Sequence, residues 1–415
     1  MAVVGRRGAG GAIAVGEAVL EPSADCIFEP GERTEARPMR QTEGPWAHLN
    51  RRGSPGYDGV RALINDWYAH VPQGKGRRDL FAKLRSNRGD IWQAGFWELY
   101  LHEAINRAGY EVDIEPDVPG SSRHPDFLVR GHGHEFYIEA LVITEDPSSA
   151  VERRRKYIYD YLDESPHPNF WLSFSIRREG ASAPPVRRML ADINRWLDGL
   201  DPDATPPSPE IEWRDGDWWI HLRALAKSLK ARTFRSDGLI GMRSGWAGFP
   251  DMGTRIREKL HSKATRYGKL DKPYLIALAA STFLANDEEL VEALLDPEAF
   301  QDNEGQPGSA QVVRKRYGLF VRSGGAQNTR VAGVIVAWNV ACTHIGLIRP
   351  ALWLNPWASP DRSFSAPLPF DRMAIDPETA VLTPQPQGFD PLPYFGLPAD
   401  WPGFEDRPIG TRRIM

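Results

Sequence analysis

Asp126 and Glu139 flank a Gly-His-Gly-His segment (131–134) inside a run of apolar and aromatic residues. A turn centred between His132 and Gly133 sets Phe127 opposite Ile138, Val129 opposite Phe136 and Arg130 opposite Glu135. On that register Asp126 falls opposite Glu139, with the two carboxylates roughly 5 Å apart across the strands. Two acids that close repel unless a proton or a cation sits between them. Hard divalent cations such as Mg²⁺ take carboxylate oxygens and keep several waters, so two acids plus a substrate phosphate make a plausible site. The competing reading has Asp126 capping a strand entry and Glu139 solvated. The apolar run 136–143 around Glu139 weighs against it.

A third carboxylate precedes them. Ala94, Leu101, Ile105 and Ala108 form a stripe at helical spacing, and Glu98 fills the remaining place in it. A Glu in a buried stripe needs a partner, and His102, one turn on, supplies the ordinary one. Glu103 is expected to pair with Arg107 at the helix surface.

The elements that must position these residues follow from spacing and punctuation. A helix is expected over 91–108, closed by Gly109, then strands at 110–114, 125–129 and 135–143. Further on, a basic helix is expected at 151–162, a strand at 169–176 and an amphipathic helix at 184–200. A hairpin is expected within 211–225, a second basic helix at 254–267, and strands at 274–280 and 330–340. A short helix is expected at 58–70, with residues 1–58 otherwise a flexible N-terminal extension. Residues 346–415 form a Pro- and aromatic-rich C-terminal extension in which 356–409 shows no regular pattern.

A helix carrying Glu98, a strand, Pro125-Asp126 entering a second strand and Glu139 on a third together resemble the PD-(D/E)XK nuclease superfamily, the restriction-endonuclease-like fold. The resemblance covers 91–143 well and extends towards 280. It implies an α/β fold: a mixed central sheet flanked by helices, with an αβββαβ core inside a nuclease-like domain spanning 59–345. The core would comprise 91–143 plus 253–280, with 144–250 an insertion. It also implies Mg²⁺- or Mn²⁺-dependent hydrolysis of nucleic-acid phosphodiesters, DNA foremost. Asp126, Glu139 and Glu98 would bind the metal.

The family's lysine belongs two positions after the second acid, where this chain has Leu141. The superfamily is known to move that lysine to a neighbouring helix. Two substitutes stand in the right order of elements. Lys263 opens a Lys-x-x-x-Tyr sequence ending at Tyr267, before the strand at 274–280, and is the preferred one. Lys156 follows Arg153 to Arg155 on the earlier helix. If neither reaches the carboxylates, the chain is instead a catalytically inactive nuclease-fold module that binds nucleic acid or a protein partner.

Composition agrees with a folded protein. The 415 residues carry a net charge of −4 and 14 Trp, which excludes wholesale disorder. There is no run of 18 apolar residues, so no membrane helix is expected. Charge is unevenly spread: 227–269 holds 11 Lys/Arg against 3 Asp/Glu, which marks a local anion-binding face or a solvated helix surface. Two distant cysteines suggest neither a disulfide framework nor a Cys-based zinc site. A bacterial, cytoplasmic protein is expected, with a second copy or a defence-system component as its protein partner. The Arg6-Arg7 start reads as a loose tail rather than an export signal. His132 and His134 read as hairpin residues rather than zinc ligands. Trp353, Trp357 and Trp401 read as packing rather than base-stacking platforms.

Overall fold

The computed structural model describes residues 26–403, apart from 145–149, 205–207, 233–238, 244–251, 269, 282–285, 296–297, 302–310, 315–317, 323–324 and 379–380. The start of the chain and parts of the basic stretch 227–269 therefore lie outside the described residues. Four helices lead the described chain: α1 (Pro45–Arg51), α2 (Pro55–Ala69), α3 (Lys75–Leu84) and α4 (Gly89–Arg107). Strands β1 (Glu111–Ile114), β2 (Phe127–Gly131) and β3 (His134–Thr144) follow as an antiparallel meander. The hairpin register is the one expected, with Phe127 paired to Ile138 and Arg130 to Glu135. Its turn places His132 at φ 51° and Gly133 at φ 78°. Positive φ at both central residues gives the twist that two-residue hairpins require, and Gly133 adopts it without steric cost.

Residues from 150 to 243 form a separate layer with its own core. It contains α5 (Ala150–Asp163), β4 (Phe170–Arg178), α6 (Val186–Asp198), β5 (Glu210–Asp215), β6 (Trp218–Ala226), α7 (Leu229–Arg232) and β7 (Ile240–Arg243). The four strands make one sheet in the order β5-β6-β4-β7. Leu172, Phe174, Ile193, Ile220 and Leu222 fill the space beneath its helices.

The chain then returns through α8 (Met252–Ala264) to β8 (Tyr274–Ser281), which lies parallel against β3. Next come α9 (Asp287–Leu294) and two short hairpins, β9 (Glu298–Gln301) with β10 (Gln311–Arg314) and β11 (Val321–Arg322) with β12 (Gly325–Ala326). The central sheet is completed by β13 (Val331–Trp338), β14 (Ala351–Leu354), β15 (Asp371–Ile375) and β16 (Leu382–Gln385). Its eight strands run β1-β2-β3-β8-β13-β14-β15-β16, parallel at β3/β8, β8/β13 and β14/β15 and antiparallel elsewhere. The fold is α/β, with a mixed central sheet flanked by helices.

Alternation along β8 shows how the sheet is buried on both sides. Leu275, Ala277 and Ala279 face one core, which Trp97, Leu101 and Ile105 of α4 also fill. Tyr274, Ile276 and Leu278 face the other, against Ile256 and Leu260 of α8 and Leu290 of α9. A strand covered on both faces reads as a continuous apolar run, which is what 274–280 is.

Two expectations for the ends of the chain differ from the structure. Within the supposed flexible stretch, Ile27, Phe28 and Leu49 are buried in the main core, and the backbone amides of Ile27 and Phe28 donate to Asn65 Oδ1. At the other end β14, β15 and β16 extend the central sheet, and Trp353 and Phe370 are buried. These segments are short and rich in Pro, and they take their structure from neighbours rather than from a local period. Trp353, and with it the partly buried Trp357 and Trp401, packs against the cores instead of offering a face to bases. No helix among the described residues is long and apolar enough to cross a membrane.

Candidate active site

The pairing of β2 with β3 ends at Phe127 and Ile138, and the site begins one residue further on. There the strands part. Glu139 continues β3 alongside β8, paired with Ile276, while Asp126 stands just before β2. The opening between them can be reached from both faces of the sheet, and both faces supply side chains to it. From one side come Glu98 on α4 and Lys83 on α3. From the other come Lys263 near the end of α8 and Arg266 just beyond it. All six residues line one cavity of about 410 Å³.

Glu139 is 1% exposed, and its oxygens are fully engaged. Lys263 Nζ lies 2.5 Å from Oε1, with an Arg266 guanidinium nitrogen 3.3 Å from the same atom. The Tyr267 hydroxyl donates to Oε2, and its oxygen also stands 2.9 Å from the His124 carbonyl. Burial, reinforced by the charge of Glu139, pushes the Tyr267 hydroxyl up, so it stays protonated and serves as a donor. The expected helix 254–267 stops at Ala264, and this early stop lets Tyr267 turn back towards β3.

Asp126 Oδ2 accepts a hydrogen bond of 2.6 Å from the Ala140 backbone N–H. The side chain thus takes the ladder position that β2 vacates. The capping contact that the competing reading expected of Asp126 is therefore present. Burial, then the negative charges of Glu98 and Glu139, raise the Asp126 carboxyl well above the usual carboxylate range. Lys263 and Lys83 oppose that rise.

Glu98 meets a different partner from the one expected. Lys83 Nζ stands 2.7 Å from both of its oxygens. His102 is buried elsewhere on α4, its Nδ1 has no hydrogen-bond partner among the described residues, and burial pushes its pKa down to about 4. Burial raises the Glu98 carboxyl above its ordinary value, and the Lys83 charge and hydrogen bond pull it back. Glu103 does pair with Arg107, but at 1% exposure rather than on the surface, and His70 Nδ1 lies 2.8 Å from its other oxygen.

Lys83 escaped the sequence reading altogether. Leu80, Phe81 and Leu84 are too few to set a helical period in its segment, and no local feature links Lys83 to Glu98 fifteen residues later. Replacing it with Met strands a largely buried carboxylate. Because Lys83 is itself 31% exposed, the expected loss is about 1–3 kcal/mol rather than the larger cost of breaking a fully buried pair. Glu98 would then titrate higher in the folded than in the unfolded state, so the loss grows as pH rises above about 4.3. Urea unfolding of Lys83→Met at pH 5 and pH 8 checks the sign, and Glu98→Gln in the same chain should recover most of the stability.

The donor chemistry suits a divalent cation: three carboxylates bring hard oxygen ligands to one cavity, and two of them, Asp126 and Glu98, are pushed up first by burial and then by the charge of neighbouring acids. Among the described residues, however, no trio of His, Cys, Asp and Glu stands close enough to hold an ion. Cations from the chain occupy that role instead, with Lys83 on Glu98 and with Lys263 and Arg266 on Glu139. Loading a metal therefore requires Glu139 to exchange at least one of these partners for the ion.

The other candidates lie elsewhere. Lys156 on α5 lines a neighbouring cleft that does not include the carboxylates. His132 Nε2 is 2.9 Å from the Ala108 carbonyl, tying the hairpin tip to the end of α4. Searches against protein-family models, curated proteins and solved structures return no match.

Proposed function

We propose that this chain is a metal-dependent nuclease with a restriction-endonuclease-like core, hydrolysing phosphodiester bonds of nucleic acid and of DNA in particular. The observation that carries the reading is the convergence of Glu98, Asp126, Glu139 and Lys263. They come from three elements and the entry to a fourth, spread over 166 positions of sequence, and meet in one cavity. The order α4-β1-β2-β3-α8-β8 supports it too, being αβββαβ once residues 150–243 are set aside.

Asp126 and Glu139 would hold Mg²⁺ or Mn²⁺, with Glu98 completing the carboxylate shell. The ion would acidify the attacking water and offset charge at phosphorus. Lys263 stands in for the lysine missing at Leu141. Its ammonium, released from Glu139, is placed to stabilise charge that builds on the phosphoryl oxygens. Arg266, with its side chain 43% exposed, presents a guanidinium that suits the same phosphate. Lys83 opposes the rise that burial imposes on the Glu98 carboxyl.

A second reading has one observation in its favour. Both oxygens of Glu139 are already satisfied by Lys263, Arg266 and Tyr267, as they would be in an inactive module that only binds nucleic acid or a protein. Incubation with linear, circular and single-stranded DNA and with RNA, in Mg²⁺, Mn²⁺ or EDTA, decides between them. Cleavage that requires the cation is the expected result. Binding without cleavage under every cation sinks the enzyme and leaves the module.

A further inference from the structure

Beside the carboxylate cavity lies a second and larger one, a cleft of about 730 Å³ between the central domain and the layer formed by residues 150–243. The two share a wall. Asp90, in the first turn of α4, lines both, so the cleft continues from the mouth of the site. The charges around it are unequal. Arg40, Arg88, Arg153 and Lys156 line it against Glu43 and Asp90, four cations to two acids, and Arg40 also pairs with Glu164 outside the lining. Arg88 reaches Asp90 at 2.6 Å, and Arg51 and Arg37 hold Glu43.

The cleft is built into the fold. Asp160 of α5 accepts hydrogen bonds from the backbone amides of Gln41 and Thr42, the latter at 2.8 Å. It also accepts one from the Thr42 hydroxyl at 2.5 Å. These bonds fasten the segment before α1 to the helix carrying Arg153 and Lys156, so the two walls keep their spacing. A preformed, cation-rich cleft that opens onto a phosphodiester site matches the backbone of a polynucleotide better than any neutral ligand.

Resting on the nuclease reading above, we propose that this cleft binds the phosphates of the strand flanking the scissile bond. The substrate is then a polymer gripped over several nucleotides, not a small phosphodiester or a terminal nucleotide alone. Lys156, considered from sequence as a substitute for the missing site lysine, acts here as a phosphate contact one cavity away.

The test is binding of a fluorescein-labelled 20-nucleotide single strand and of its duplex, measured by anisotropy in EDTA over a range of salt. Parent protein is compared with Arg153→Ala/Lys156→Ala and with the conservative Arg153→Lys/Lys156→Arg. The Ala variant should bind about tenfold or more weakly, and its salt slope should be shallower by about 1.4 for the single strand and about 1.8 for the duplex. The conservative variant should bind like the parent, which separates lost charge from damaged structure. Parent-like affinity and slope in the Ala variant overturn the cleft proposal while leaving the nuclease reading standing. If the parent retains neither oligonucleotide, the nucleic-acid reading itself fails, and the cleft proposal with it.

Discussion

Glu139→Gln should lower cation-dependent cleavage by roughly 10³-fold or more, the equivalent of about 4 kcal/mol of transition-state stabilisation. The substitution keeps the shape of the side chain and its contact with Tyr267, so the fold should survive. It removes the negative charge that a divalent cation needs and that Lys263 neutralises in the structure. Single-turnover cleavage at saturating protein reads the chemical step, and thermal melting of the same sample shows whether the variant is folded. Lys263→Met should cost less, on the order of 10²-fold, because it removes charge stabilisation but leaves the carboxylates to hold the ion. A Glu139→Gln protein that cleaves at the parent's rate would place the chemistry elsewhere and end the case for this cavity.

Asp126→Asn should do the opposite to stability: it is expected to stabilise the protein without metal. Burial and the charges of Glu98 and Glu139 raise the Asp126 carboxyl well above the usual range, so the folded state holds its proton more tightly than the unfolded state does. A carboxyl raised in this way imposes no penalty below its unfolded pKa of about 3.9. The penalty grows as pH climbs and reaches its full size above the folded pKa. Asparagine can still accept from the Ala140 N–H but carries no charge to repel the other two acids. The gain should therefore be small near pH 4 and about 1–3 kcal/mol at pH 8. In the parent, Mg²⁺ or Mn²⁺ should raise the melting temperature by binding the folded state alone, and in Asp126→Asn that rise should largely disappear. Melting curves that coincide for both proteins, with and without metal at both pH values, would remove the charge conflict and the metal site together.

The two predictions turn on the same cluster, and they make different demands on it. The proposed nuclease would need the three carboxylates charged, whereas burial favours neutralising Asp126 and Glu98. The chain meets this conflict with cations of its own. Lys83 and Lys263, from α3 and α8, each hold one acid, and Asp126 is left with a backbone amide.

Much of the core was legible in the sequence because its signals are local. A two-residue period, a Gly in the turn and an opposite-charge pair at the tip were enough to set the β2/β3 register, and Asp126 and Glu139 came with it. The helix of Glu98 announced itself by its apolar stripe. Lys263 was reachable only through the resemblance to the PD-(D/E)XK superfamily, which implies a lysine on a helix preceding a strand when position 141 is Leu. Nothing local marked α3, the burial of Ile27 and Phe28, or the strands after Leu347. Their apolar residues are too few for a period, and they are ordered by the surfaces they cover.

The sequence by itself determined the α/β alternation, the hairpin and the presence of two carboxylates just beyond the end of its register. These follow from side-chain spacing along single elements. Only the tertiary structure decided the partners. Glu98 belongs to Lys83 and not to His102. Glu139 is held from α8 and the residues just after it, and Lys156 faces the adjoining cleft. Electrostatic pairing depends on distance through space, and chain position does not encode that distance until the sheet has brought α3, α4 and α8 to the same opening.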